Sequence, residues 1–214
     1  MTRIITILAV FSLLGMALLP TIESFSRIGI GIPSIPGSEG FVLLATLWVA
    51  FLGAILAARD KRLLALSQEA EYSENQPVSL RVLYSNTMTF MLVSVMTYAS
   101  AGFVMENFAA ETKVVPAPFW VVAVIIPIGF ALITTSVFMV SPKNNLIRGS
   151  MILAVIIVAI MGYFELFTQA NFFWMGIILI LLSFPMGVPI FAVLGGIAML
   201  ILHYNDGTIL AIAN

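Results

Sequence analysis

The chain has no cysteine and a single histidine, His203, in 214 residues. Disulfides, thiol nucleophiles, thiolate metal sites and histidine metal clusters are therefore excluded. Charge is equally scarce. Charged residues make up 9 % of the sequence and hydrophobic ones 61 %, whereas a soluble domain carries about 25 % charged residues. The net charge of −1 gives no basis for a nucleic-acid partner. No Gly-rich phosphate loop and no nucleophile paired with a base is present, so no enzymatic activity is expected. The centres of the apolar runs hold no Asp, Glu, Lys or Arg, the groups that proton relays and charged-substrate paths use.

What is present is apolar sequence in long runs. In lipid the backbone must satisfy its own hydrogen bonds, which leaves helices or a closed barrel. The runs are continuous rather than alternating, which selects helices. The clearest run is Gly40 to Ala58, 19 residues without a charge, stopped by Arg59-Asp60-Lys61-Arg62. At about 1.5 Å per residue it spans a hydrocarbon core of roughly 30 Å. The run Ile4 to Ile22 follows Arg3; it is too long for a signal peptide and reads as a retained helix, with Pro20 kinking or ending it. Glu23 and Arg27 then stand four apart, which suits either a solvated helix end or a partly buried pair. The Gly- and Pro-rich stretch from 29 to 38 is a loop, with Ser38 as a candidate N-cap for the second helix. Residues 59 to 76 are polar, with a short surface turn at Leu63 to Leu66.

A third helix is predicted over Leu80 to Phe108, with Ser94, Thr97, Ser100 and Gly102 suited to close packing. A fourth starts near Pro116 and Pro118 and runs to about Val140, kinked at Pro127. A fifth covers about Gly149 to Phe164. The last run, Phe172 to His203, is interrupted by Pro185, Gly187, Pro189, Gly195 and Gly196; it is one kinked helix or two pieces around a break. His203 stands at a membrane exit and reads as structural. Trp48, Trp120 and Trp174 read as packing or interface anchors, and the scattered methionines as packing filler. With the N-terminus inside, seven cations (Arg3, Arg59, Lys61, Arg62, Arg81, Lys143, Arg148) lie on the cytoplasmic side and two (Arg27, Lys113) outside. That bias supports about six helices with both ends inside, provided the last run crosses once.

Two stretches carry a family resemblance. Trp48-Val49-Ala50-Phe51-Leu52-Gly53-Ala54, continuing to Ala57-Ala58-Arg59, resembles the second helix of the small, DctQ-type membrane subunit of the tripartite ATP-independent periplasmic (TRAP) transporters. Glu23 and Arg27 sit where that family has an arginine-bearing end to helix one, and Pro118-Phe119-Trp120 with Ile126-Pro127-Ile128-Gly129-Phe130 is similar to its fourth helix. The family often has a histidine after the arginine; here the sequence is Asp60-Lys61-Arg62-Leu63, so no role of that histidine carries over. Pro185-Met186-Gly187-Val188-Pro189, continuing to Gly195-Gly196, is similar to the opening of the large, DctM-type subunit.

The resemblance implies an all-α integral membrane protein. Residues 1–142 would be the four-helix small-subunit bundle, 143–170 a connector helix, and 171–214 the truncated start of a large subunit. It further implies a scaffold role in sodium-coupled uptake of an organic acid such as a C4-dicarboxylate. The partners would be a large permease subunit and a periplasmic binding protein, in the bacterial inner membrane. No cofactor is expected in this chain; sodium would bind in the large subunit. Glu23, Arg27, Trp48, Gly53, Arg59, Pro127, Gly187 and Pro189 are the structural candidates. The alternative is a structural or assembly membrane protein without a transport role.

Overall fold

The computed structural model describes residues 2–27, 38–59, 79–108, 123–164 and 170–206. Among them are seven helices: α1 (Thr2–Arg27), α2 (Ser38–Arg59), α3 (Leu80–Phe108), α4 (Ile125–Val140), α5 (Asn145–Tyr163), α6 (Ala170–Ser183) and α7 (Ile190–Asp206). The all-α membrane architecture holds. Segments of α1, α2, α3 and α5 are long and apolar enough to cross a bilayer, while the apolar parts of α4, α6 and α7 are shorter.

The helix ends follow local chemistry. α1 does not stop at Pro20 but continues to Arg27. The Thr21 and Ser24 hydroxyls turn back to donate to the carbonyls of Ala17 and Pro20, so neither needs another partner in lipid. α3 is capped by Ser79, whose hydroxyl accepts from the Val82 N–H at 3.3 Å. α5 starts at Asn145, four residues before the position expected from the apolar pattern, because the Asn144 side chain accepts from the Leu146 N–H at 2.9 Å.

Helical conformation is interrupted at Val124, directly after Ala123. The Ala123 carbonyl faces the ring nitrogen of Pro127, which has no hydrogen to offer it. The irregularity expected from Pro127 therefore lies one turn upstream of the proline. The expected start of this helix near Pro116 and Pro118, Trp120, and the surface turn at 63–66 lie outside the described residues.

Packing runs from α1 onto α2, from α2 onto α4, and from α4 onto α3. α3 is the hub, because α5, α6 and α7 also pack on it. One core joins Leu52, Ile55 and Ala58 of α2, Met88, Leu92 and Val93 of α3, Ile133 of α4, Ile180 of α6, and Ala192 and Val193 of α7. A second, smaller core sets Ile147 and Met151 of α5 against Val82 of α3.

The last apolar run is two helices folded against each other, not one crossing. Phe173 stacks on Tyr204 with centroids 4.2 Å apart. Gly176 faces Leu200, and Gly196 faces Ile180. These pairs step in opposite directions along α6 and α7, so the helices are antiparallel.

Candidate functional site

The helix centres offer packing surfaces rather than a reaction site. Among the described residues, no group of three His, Asp or Glu converges to hold a metal ion. Among the described residues, most of the polar groups at depth are hydroxyls, beside the Trp48 indole and the Asn86 amide, which donates to the Val82 carbonyl. Thr97 of α3 and Thr134 of α4 pair at 3.1 Å, and Thr87 of α3 pairs with Ser150 of α5 at 2.7 Å. Ser150 also donates to the Ile147 carbonyl of its own helix, so Thr87 is the donor of that pair. Thr97 and Thr134 each lie within reach of a carbonyl of their own helix, Val93 and Phe130; with one proton apiece, one of them donates to its carbonyl while the other donates across the pair. Ser94 and Ser100 likewise donate within α3 rather than across it. These groups join helices through polar contacts satisfied in lipid.

The α2–α4 contact is a close one. Gly129 is buried on α4 with the Phe51 ring of α2 seated on it. A methyl group there would lie 2.9 Å from Phe51 Cγ and 3.1 Å from its Cβ. Phe51 also meets Phe130 edge to face, with centroids 5.1 Å apart. Trp48 packs against the main core from the same helix; its indole Nε1 is buried without a hydrogen-bond partner. Gly53, three residues from Leu56 on the same helix, faces open space.

The remaining candidates fall at helix ends and at the α6–α7 turn. Glu23 is half-buried on α1, and Arg27 is the last residue of that helix, one turn on. The side chains of Arg27 and Arg59 lie outside the described residues, as does that of His203. Pro127 is half-buried near the start of α4. Gly187 has φ 98°, a left-handed conformation that glycine adopts without strain. Pro189 is buried, and its carbonyl accepts the N–H groups of Ala192 and Val193, opening α7. The Ser183 carbonyl closes the turn by accepting from Met186 at 3.2 Å and Val188 at 3.3 Å.

Sequence reasoning did not single out Phe51 with Gly129, although both lie in stretches it quoted. Nor did it find the α3 face formed by Leu92 and Met96, on which Gly196 and Gly195 of α7 sit. The available signal was the glycine pair itself, which lets a second helix approach closely. At the α4–α5 junction, the Arg148 guanidinium lies over the Phe138 ring at 5.2 Å. An arginine there keeps its charge at the membrane boundary while its stem covers apolar surface.

No curated protein and no solved structure matches the chain. A family model described as tripartite ATP-independent periplasmic transporters, DctQ component, matches residues 16–141, more than half of its length. The match runs from the middle of α1 to the end of α4.

Proposed function

The chain belongs to the family of DctQ components of TRAP transporters, and from that premise we propose that it is the static scaffold beside the moving part of a sodium-coupled organic-acid permease. It is a multi-pass protein of the inner membrane. In this reading a periplasmic binding protein delivers the acid, a C4-dicarboxylate or a similar anion, to the membrane assembly. A large permease subunit binds acid and sodium and moves them. The present chain holds that subunit in the bilayer, needs no cofactor and performs no covalent chemistry.

The observation that carries this reading is the content of the helix interiors. Among the described residues, α1 to α4 meet through apolar side chains, seated glycines and hydroxyls, with no Asp, Glu, Lys or Arg at a helix centre. A path for an anion and a cation needs polar or charged groups at depth. A support needs fixed contacts, which the Phe51–Gly129 seat and the Thr97–Thr134 pair provide.

The domain reading is part of the proposal. Residues 1–142 form the small-subunit unit, α5 serves as connector, and 171–214 correspond to the start of a large subunit. The cation bias places the N-terminus and the segment 60–78 in the cytoplasm. A purely structural protein without a transport role has no observation of its own in its favour. The test is uptake in cells carrying the binding protein and the large subunit. Deleting this chain abolishes sodium-dependent uptake and restoring it recovers uptake; unchanged uptake after deletion refutes the proposal.

A further inference from the structure

We propose that α6 and α7 form a re-entrant hairpin that enters and leaves the bilayer on the outer face, so that the chain does not cross between Ala170 and Asp206. The shape rests on contacts at three levels. Phe173 stacks on Tyr204, Gly176 takes Leu200, and Ile180 meets Gly196. A single straight helix would hold positions 173 and 204 about 46 Å apart at about 1.5 Å per residue. Here their rings are 4.2 Å apart.

Length and turn chemistry agree. α6 has 14 residues and α7 has 17, which is about 21 Å and about 25 Å of helix. Both are shorter than a hydrocarbon core of roughly 30 Å, as is α4 with 16 residues, so it is the contacts and the turn chemistry that carry the hairpin. The turn between them reads Phe184-Pro185-Met186-Gly187-Val188-Pro189 and contains no polar side chain. A turn emerging into water on the far side has no reason to be wholly apolar. Gly187, Val188 and Pro189 are instead buried. Non-helical backbone at membrane depth is tolerated where protein covers it. Gly195 and Gly196 bring the returning helix onto Met96 and Leu92, near the middle of α3. Between Arg148 and Asn214 the sequence has no Lys or Arg to hold the stretch before α6 or residues 207–214 inside. The ends are flanked instead by Glu165 and Asp206.

The side rests on the cytoplasmic N-terminus of the proposed function, from which five single crossings lead to the outer face; the hairpin shape does not. The cysteine-free chain suits labelling of single cysteines with a membrane-impermeant maleimide in spheroplasts. Thr168→Cys and Thr208→Cys flank the pair, and Ser67→Cys reports the cytoplasmic segment. The expected result is labelling of the first two from outside, and of Ser67→Cys only after permeabilisation. Thr208→Cys labelled only after permeabilisation, with Thr168→Cys labelled outside, means a single crossing and overturns the proposal. Both requiring permeabilisation overturns the outer entry. Ser67→Cys labelled from outside overturns the N-terminal placement and the assigned side, separately from the shape. If these variants fail to insert, Phe173→Cys with Tyr204→Cys decides. A short bismaleimide should join them within one chain; two reactive but unjoined cysteines refute the hairpin.

Discussion

Gly129→Ala is the most direct probe of the α2–α4 seat. The added methyl would stand 2.9 Å from Phe51 Cγ, with a further atom of the ring closer still. Relief requires the ring to move, which breaks its edge contact with Phe130 at 5.1 Å. Overpacking of this kind costs about 1–3 kcal/mol. Replacing a helical glycine by alanine returns about 1 kcal/mol, so the two effects together leave a net loss of up to about 2 kcal/mol. The partner substitution distinguishes collision from any other cause. Phe51→Ala is destabilising alone, through lost burial, but removes the ring that the methyl strikes. Gly129→Ala in the Phe51→Ala background should therefore be neutral or stabilising. The assay is equilibrium unfolding in detergent micelles of the four proteins of this cycle, read as a coupling energy. A Gly129→Ala protein at least as stable as the parent, or one whose loss persists without the Phe51 ring, refutes the packing described here.

Other outcomes follow from single contacts. Gly187→Ala forces a side chain into φ 98° and should destabilise by about 1–2 kcal/mol, read in the same unfolding assay. Thr97→Val should cost only about 0.6 kcal/mol, since hydroxyl pairs between membrane helices contribute little, and Thr134→Val should add almost nothing further. Arg27→Ala should lower membrane yield if Glu23 is its partner, and adding Glu23→Gln should recover it; a double variant no better than the single one rules pairing out. A reporter fused after Gln76 should be active only in the cytoplasm; periplasmic activity overturns the assigned orientation.

The parts of the fold legible in the sequence were those fixed by charge. α3 spans Leu80 to Phe108 as expected, because no charge falls between Arg81 and Glu106 to end it. α2 runs through the whole uncharged stretch to Arg59, the first of the cations. Less legible was anything decided between helices. Pro20 suggested a kink or an end; α1 continues through it, and the Thr21 and Ser24 hydroxyls serve the carbonyls around it. Gly102 suggested close packing but faces open space, whereas Gly129 and Gly195 are seats. Composition does not say which side of a helix meets a neighbour. The run Phe172 to His203 is apolar whether it crosses or doubles back. Only the pairing of Gly176 with Leu200 and Phe173 with Tyr204 distinguishes the two. The helix interiors were legible as lacking ionisable groups, and the comparison with the DctQ component family then supplied the transport context.

The central claim is that this chain supports transport without performing it. The measurement is organic-acid uptake into proteoliposomes under an inward sodium gradient, with the matching binding protein present. Vesicles holding this chain alone should take up no more than empty vesicles, because among the described residues no Asp, Glu, Lys or Arg stands at a helix centre to build a midplane site. Adding the large subunit should establish sodium-dependent uptake. Uptake by this chain alone would contradict the account.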